Sequence, residues 1–96
     1  MKLNSKQAKT LKAVFETPAR ADIPWSEILR LFEALGADVS QGRGSRVRVQ
    51  LNGERAVFHE PHPEKETDKG AVKSVREFLK NAGIVEGEDD VDIQGL

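Results

Sequence analysis

The chain has no cysteine and no tyrosine, one tryptophan and one methionine, and aromatic residues fill only 5% of its 96 positions. Without thiols there can be no disulfide, no thiolate nucleophile and no zinc site built on sulfur, a composition that fits a cytoplasmic protein. The scarcity of aromatic residues predicts an aliphatic core, with Trp25 and four phenylalanines as its large members. No apolar run is long enough for a signal peptide or a membrane span, although Lys2, Lys6, Lys9 and Lys12 give the N-terminus a basic start. A length of 96 residues allows one modest core and therefore one domain.

An excess of either charge is also missing, since fifteen Lys and Arg face sixteen Asp and Glu. The near-neutral total hides a split. Residues 86–96 hold Glu86, Glu88, Asp89, Asp90 and Asp92 and no Lys or Arg, so the net −1 divides into −5 there and +4 over residues 1–85. Three parts follow: an N-terminal helix and linker over 1–22, a mildly basic folded body over 23–85, and an acidic tail over 86–96. The tail reads as a solvated, disordered end or as a shield for a basic face.

The strongest local signal is Asn52–Gly53 between two alternating runs, Arg46–Leu51 and Glu54–His59. Both positions of a two-residue hairpin turn need positive φ, which Asn and Gly supply. Counting back from the turn pairs Leu51 with Glu54, Gln50 with Arg55, Val49 with Ala56, Arg48 with Val57, Val47 with Phe58 and Arg46 with His59. Alternation then puts Val47, Val49, Leu51, Ala56 and Phe58 on one face, and Arg46, Arg48, Arg55 and His59 on the other.

Around the hairpin, residues 6–16 read as a short helix with Ser5 as its N-cap, and Thr17–Pro18 ends it. Residues 24–35 read as an amphipathic helix with Pro24 in its first turn, Trp25, Ile28, Leu29, Phe32 and Leu35 on one side, and Gly36 as terminator. Ala37–Gln41 is a first strand, Gly42–Ser45 a turn, and Glu60–Asp68 a loop. A last helix opens at Lys69 or Gly70, capped by Thr67 or Asp68, and closes at Gly83. The expected fold is α+β: a three-stranded antiparallel sheet with two helices packed on one face, plus an extra N-terminal helix.

From Ile23 to Ile84, about two-thirds of the chain, the sequence resembles the HicA-type (YcfA-like) toxins of bacterial toxin–antitoxin pairs. The residues that carry the resemblance are Trp25, Ile28, Leu29, Leu35–Gly36, Gly42-x-Gly44–Ser45, Leu51–Asn52–Gly53 and Val57–Phe58–His59. They continue with Pro61–His62–Pro63, Lys65–Glu66, Lys69–Gly70 and Asn81–Ala82–Gly83–Ile84. The resemblance implies a fold like a double-stranded-RNA-binding domain and a toxin that cuts or blocks mRNA without a metal or other cofactor. It also implies a HicB-type antitoxin as partner. Typical members carry Gly-Ser-His at the start of the second strand, with that His as the expected catalytic residue. Here the stretch is Gly44–Ser45–Arg46. A guanidinium cannot exchange a proton near neutral pH.

Cleavage of RNA through its 2′-hydroxyl needs a base, an acid and positive charge on the phosphorane. In the derived register His59 lies opposite Arg46. The candidate catalytic pair is therefore Arg46 for the phosphate and His59 for the proton, an imidazole being suited to that task at ordinary pH. Against this stands the reading of His59 as a polar strand-end residue. Arg43, Arg46, Arg48 and Arg55 are candidate RNA contacts, with Glu54 nearby, and an ordinary solvated face is the alternative. Lys65 and Lys69, flanking the start of the last helix, are further phosphate candidates or a lysine pair balanced by Glu64, Glu66 and Asp68. With no aromatic residue pointing outward from the hairpin, base stacking is not supported and binding is expected to be electrostatic. The spacing of His59, His62, Glu64, Glu66 and Asp68 matches no zinc arrangement, so no metal is expected. A non-catalytic RNA-binding module and a protein-docking domain are the competing functions.

Overall fold

Eight elements follow one another in a computed structural model that describes residues 3–84: α1 (Ser5–Val14), β1 (Ile23–Pro24), α2 (Trp25–Ala34), β2 (Asp38–Gln41), β3 (Arg46–Leu51), β4 (Glu54–His59), β5 (Glu66–Thr67) and α3 (Lys69–Asn81). β2, β3 and β4 form an antiparallel sheet in that order. α2 packs against β2 and α3 against β4, so the α+β architecture read from the sequence is present. The acidic stretch 86–96 lies outside the described residues. No described helix is long and apolar enough to cross a membrane.

The hairpin turn has Asn52 at φ 51° and Gly53 at φ 86°, the left-handed values that this dipeptide tolerates. Asn52 also donates from Nδ2 to the Ala82 carbonyl at 2.8 Å, tying the turn to the C-terminal end of α3. One face of the sheet supplies Val47, Val49, Leu51 and Phe58 to the core. Phe58 stacks on Phe32 of α2 at 5.6 Å, and Phe78 of α3 meets both rings edge-on at 5.8 and 5.9 Å. Trp25 closes the cluster at 6.1 Å from Phe58. Three of the four phenylalanines and the one tryptophan thus hold both helices to a single face of the sheet.

Local details differ from expectation in three places. The N-cap of α1 is Asn4, not Ser5. Its side chain accepts from the Gln7 N–H at 2.8 Å while Gln7 Oε1 accepts from the Asn4 N–H at 3.0 Å. Ser5 caps as well in principle, but the glutamine three residues on completes a capping box only with Asn4. Pro24 precedes α2 rather than opening it, because its extended backbone (ψ 134°) pairs with Glu66. That pairing is the third difference. The loop 60–68 contains β5, which forms a two-residue ribbon with β1 through Ile23–Thr67 and Pro24–Glu66.

α1 packs on α2 and α3 and buries Leu11, Ala13 and Val14 in the common core. Its last carbonyls would otherwise lack partners. Arg76 of α3 supplies them, donating from Nε to Val14 O at 3.0 Å and from Nη2 to Glu16 O at 2.7 Å. Arg76→Ala is expected to lower stability by about 1–3 kcal/mol in urea unfolding. Arg76→Lys should restore only part of it, because one ammonium cannot reproduce the planar fork. In the segment after α1, two hydrogen bonds from Arg20, at 2.8 and 3.1 Å, hold the Asp22 carboxyl below its ordinary range. The small contribution of this exposed pair exists above the ordinary carboxylate pKa and is lost as pH falls through the depressed one.

Candidate nucleic-acid interface

The outer face of the sheet is built by strict alternation. Along β3, Arg46, Arg48 and Gln50 are exposed while Val47, Val49 and Leu51 are buried. Along β4, Arg55, Val57 and His59 are exposed and Phe58 is buried. All six cross-strand pairs are those counted back from the Asn–Gly turn, Arg46 opposite His59 included. Beyond that pair, the Glu60 N–H donates to Ser45 O at 2.8 Å. Pairs alternate along an antiparallel ladder, so Arg46 and His59 occupy a non-hydrogen-bonded pair, where Cα atoms are about 4.5 Å apart and side chains approach most closely.

The register of β2 completes the face. Asp38 lies opposite Gln50 and Ser40 opposite Arg48, and the Gly42 N–H donates to Arg46 O at 2.8 Å. Three rows therefore cross the sheet: Asp38, Gln50, Arg55; then Ser40, Arg48, Val57; then Gly42, Arg46, His59. Gly42 lets its corner close, because a Cβ there would stand 3.2 Å from the Arg46 Cβ. Arg43 sits in the turn beside this last row, and its carbonyl accepts from the Arg46 N–H at 3.1 Å. The N–H groups of Gly42 and Arg46 are thus spent inside the turn rather than offered to a phosphate.

No ion pair among the described residues engages Arg43, Arg46, Arg48 or Arg55. Glu54, expected near them, falls by alternation on the α3 side of β4, in a hollow that Arg55 shares with Lys73 and Glu77 of α3. The acid that does share the arginine face is Asp38. Lys65 and Lys69 are not part of this face. Lys65 lies beside the start of α2, where its carbonyl accepts from the Trp25 N–H at 2.9 Å. Lys69 opens α3, whose first-turn donor, the Ala71 N–H, already binds the Asp68 carboxylate at 2.7 Å. With its far end at the hairpin turn, a helix of 13 residues puts Lys69 about 20 Å away, toward the Arg46–His59 end but on the helical side. Among the described residues no three His, Asp or Glu side chains gather as a metal-holding group.

The segment that makes this face is also the segment that known proteins share. The family model described as the HicA toxin of bacterial toxin–antitoxin matches residues 25–84. The chain belongs to the HicA toxin family. A relative from Pseudomonas fluorescens (strain Pf0-1), named "Probable mRNA interferase HicA", is 39% identical over 60 residues, which is 62% of this chain and 93% of the relative. No solved structure matches. Asp38 through His59 lie inside the HicA match, whereas α1 and β1 precede it.

Proposed function

We propose that this HicA-family chain is an mRNA interferase that binds mRNA across the arginine face and suppresses translation by cutting it. The observation that carries the reading is the Arg46–His59 row on a face that no described helix covers, in a chain whose relative is named an mRNA interferase. In the reaction the 2′-oxygen attacks the adjacent phosphorus and the bond to the 5′-oxygen breaks. Positive charge from Arg46 offsets the charge that gathers on the phosphorane oxygens. His59 takes the 2′-hydroxyl proton or returns one to the leaving oxygen, because Arg46, standing where typical members carry His, cannot. Arg43, Arg48 and Arg55 hold neighbouring phosphates, with Lys65 and Lys69 as outlying contacts. The chemistry calls on no metal or cofactor. A HicB-type antitoxin silences the toxin by covering the same face, and both act in the cytoplasm.

One observation favours a second reading. The Arg at position 46 leaves the face with a single imidazole, as expected for an RNA-binding module that has lost cleavage. Incubating the purified full chain with an end-labelled mRNA separates the two. Discrete fragments support the interferase, and binding without fragments supports the module. In either case four phosphate contacts predict a log–log salt slope of about −3 for single-stranded RNA. A titration that shows no RNA binding at low salt would assign the face to a protein partner instead.

A further inference from the structure

The middle of the outer face is concave rather than flat. A shallow cavity of about 470 Å³ opens there, lined by Asp38, Ser40, Arg48, Gln50, Arg55 and Val57. That volume falls within the range of small-ligand sites, about 300–1,000 Å³. Val57 is 52% exposed, the one large hydrophobic side chain left open among the described residues. It stands between arginines, where a face that only gripped phosphate would gain nothing from an apolar group. Asp38 makes the same point with the opposite chemistry. Its carboxylate repels phosphate and can only accept hydrogen bonds, so a ligand seated against it has to bring donors, and the amino groups of nucleobases are such donors.

We propose that this cavity is a nucleobase site that favours bases with an exocyclic amino group (adenine, cytosine or guanine) over uracil, an inference that rests on the RNA-binding reading above. The base lies on Val57 and under the Arg48 guanidinium, whose plane can stack on it in place of the missing aromatic ring while its edge N–H groups still reach the neighbouring phosphate. The amino group donates to Asp38, as carboxylates accept from the amino group of cytosine elsewhere. Gln50, directly opposite Asp38, and Ser40, two positions along β2, each offer both a donor and an acceptor to the remaining edge. Uracil has no amino group, and its single edge donor, N3–H, is flanked by two carbonyl oxygens that the carboxylate would repel. Arg55 lies at the rim of the cavity and Arg46 one row beyond it along β3, placed for the flanking phosphates. Cleavage by this chain would then have a sequence preference, set two strands away from His59.

The test is fluorescence anisotropy of the full chain with single-stranded 2′-O-methyl oligomers of A, C and U of equal length, in which cleavage is blocked. The natural chain should bind the A or C oligomer roughly fivefold or more tighter than the U oligomer. Asp38→Asn, whose amide can donate as well as accept, should tighten all three by removing a negative charge and shrink the preference to about twofold or less. Val57→Ser, an exposed substitution with folding checked by circular dichroism, should shrink it too. Equal binding of all three oligomers by the natural chain, or a preference unmoved in Asp38→Asn, overturns the base site and leaves RNA binding standing. Equal binding combined with weaker capture of a HicB-type antitoxin by Val57→Ser assigns the cavity to a protein side chain and also overturns it. Failure to bind any oligomer overturns both this site and the RNA-binding function.

Discussion

His59→Ala is expected to slow RNA cleavage by about 10²- to 10⁴-fold while leaving RNA affinity nearly unchanged, the signature of a lost proton-transfer group. Arg46→Ala should lower cleavage by about 10²-fold or more and also weaken binding, because the same guanidinium meets the phosphate before and during the reaction. The binding part is visible as a salt slope shallower by about 0.7 for one lost contact. Single-turnover cleavage and anisotropy at several salt concentrations separate the two effects. Arg46→His restores the residue typical of the family to a position directly across from His59 and should keep cleavage measurable. Both side chains are exposed, so none of these changes disturbs the core. An unaltered rate in His59→Ala would remove that residue from the mechanism. It would also leave the outer face with no imidazole to move a proton, and Asp38 as its remaining carboxylate.

Phe32→Ala should cost about 3–5 kcal/mol, the usual range for deleting a fully buried ring. Phe32 has no exposed surface and touches Trp25, Phe58 and Phe78, so its loss leaves a cavity shared by both helices and the sheet. A domain of this size has only about 5–15 kcal/mol in total, so the variant should show a sharply lower urea midpoint and a measurable unfolded fraction at 37 °C. The consequence reaches the site. Phe58 is the inward neighbour of both Val57 and His59 on β4, and the ring cluster is what seats that strand. Activity should therefore fall with the folded fraction in Phe32→Ala, whereas in His59→Ala it falls with stability intact. A Phe32→Ala protein as stable as the natural chain would mean that the aromatic cluster is not the centre of the core.

Much of the site was legible because its determinants are near neighbours in the chain. The Asn52–Gly53 turn and the two-residue alternation on either side of it set which side chains face outward and which meet across the strands. No distant contact is needed for that, and the register in the structure is the one those signals imply. The last helix was similarly self-contained, with Asp68 at one end and Gly83 at the other. Illegible features involve partners far apart in sequence. The β1–β5 ribbon joins residues 23–24 to 66–67, each strand too short to show any periodicity. Arg76 reads as an ordinary surface arginine until α3 lies beside the end of α1, 62 residues earlier in the chain at Val14. Asp38 and Ser40 had no assigned face, because no tight turn fixes how β2 slides along β3.

What the amino-acid order determined alone was the hairpin, its register and the pairing of Arg46 with His59, since turn geometry and side-chain alternation act over a few residues. What only the folded chain decided was the third column of the face, the β1–β5 ribbon and the hollow around Val57. Those depend on which strand edge and which helix come to rest against the hairpin, and that choice is made by burial summed over the whole core rather than by any local run of residues.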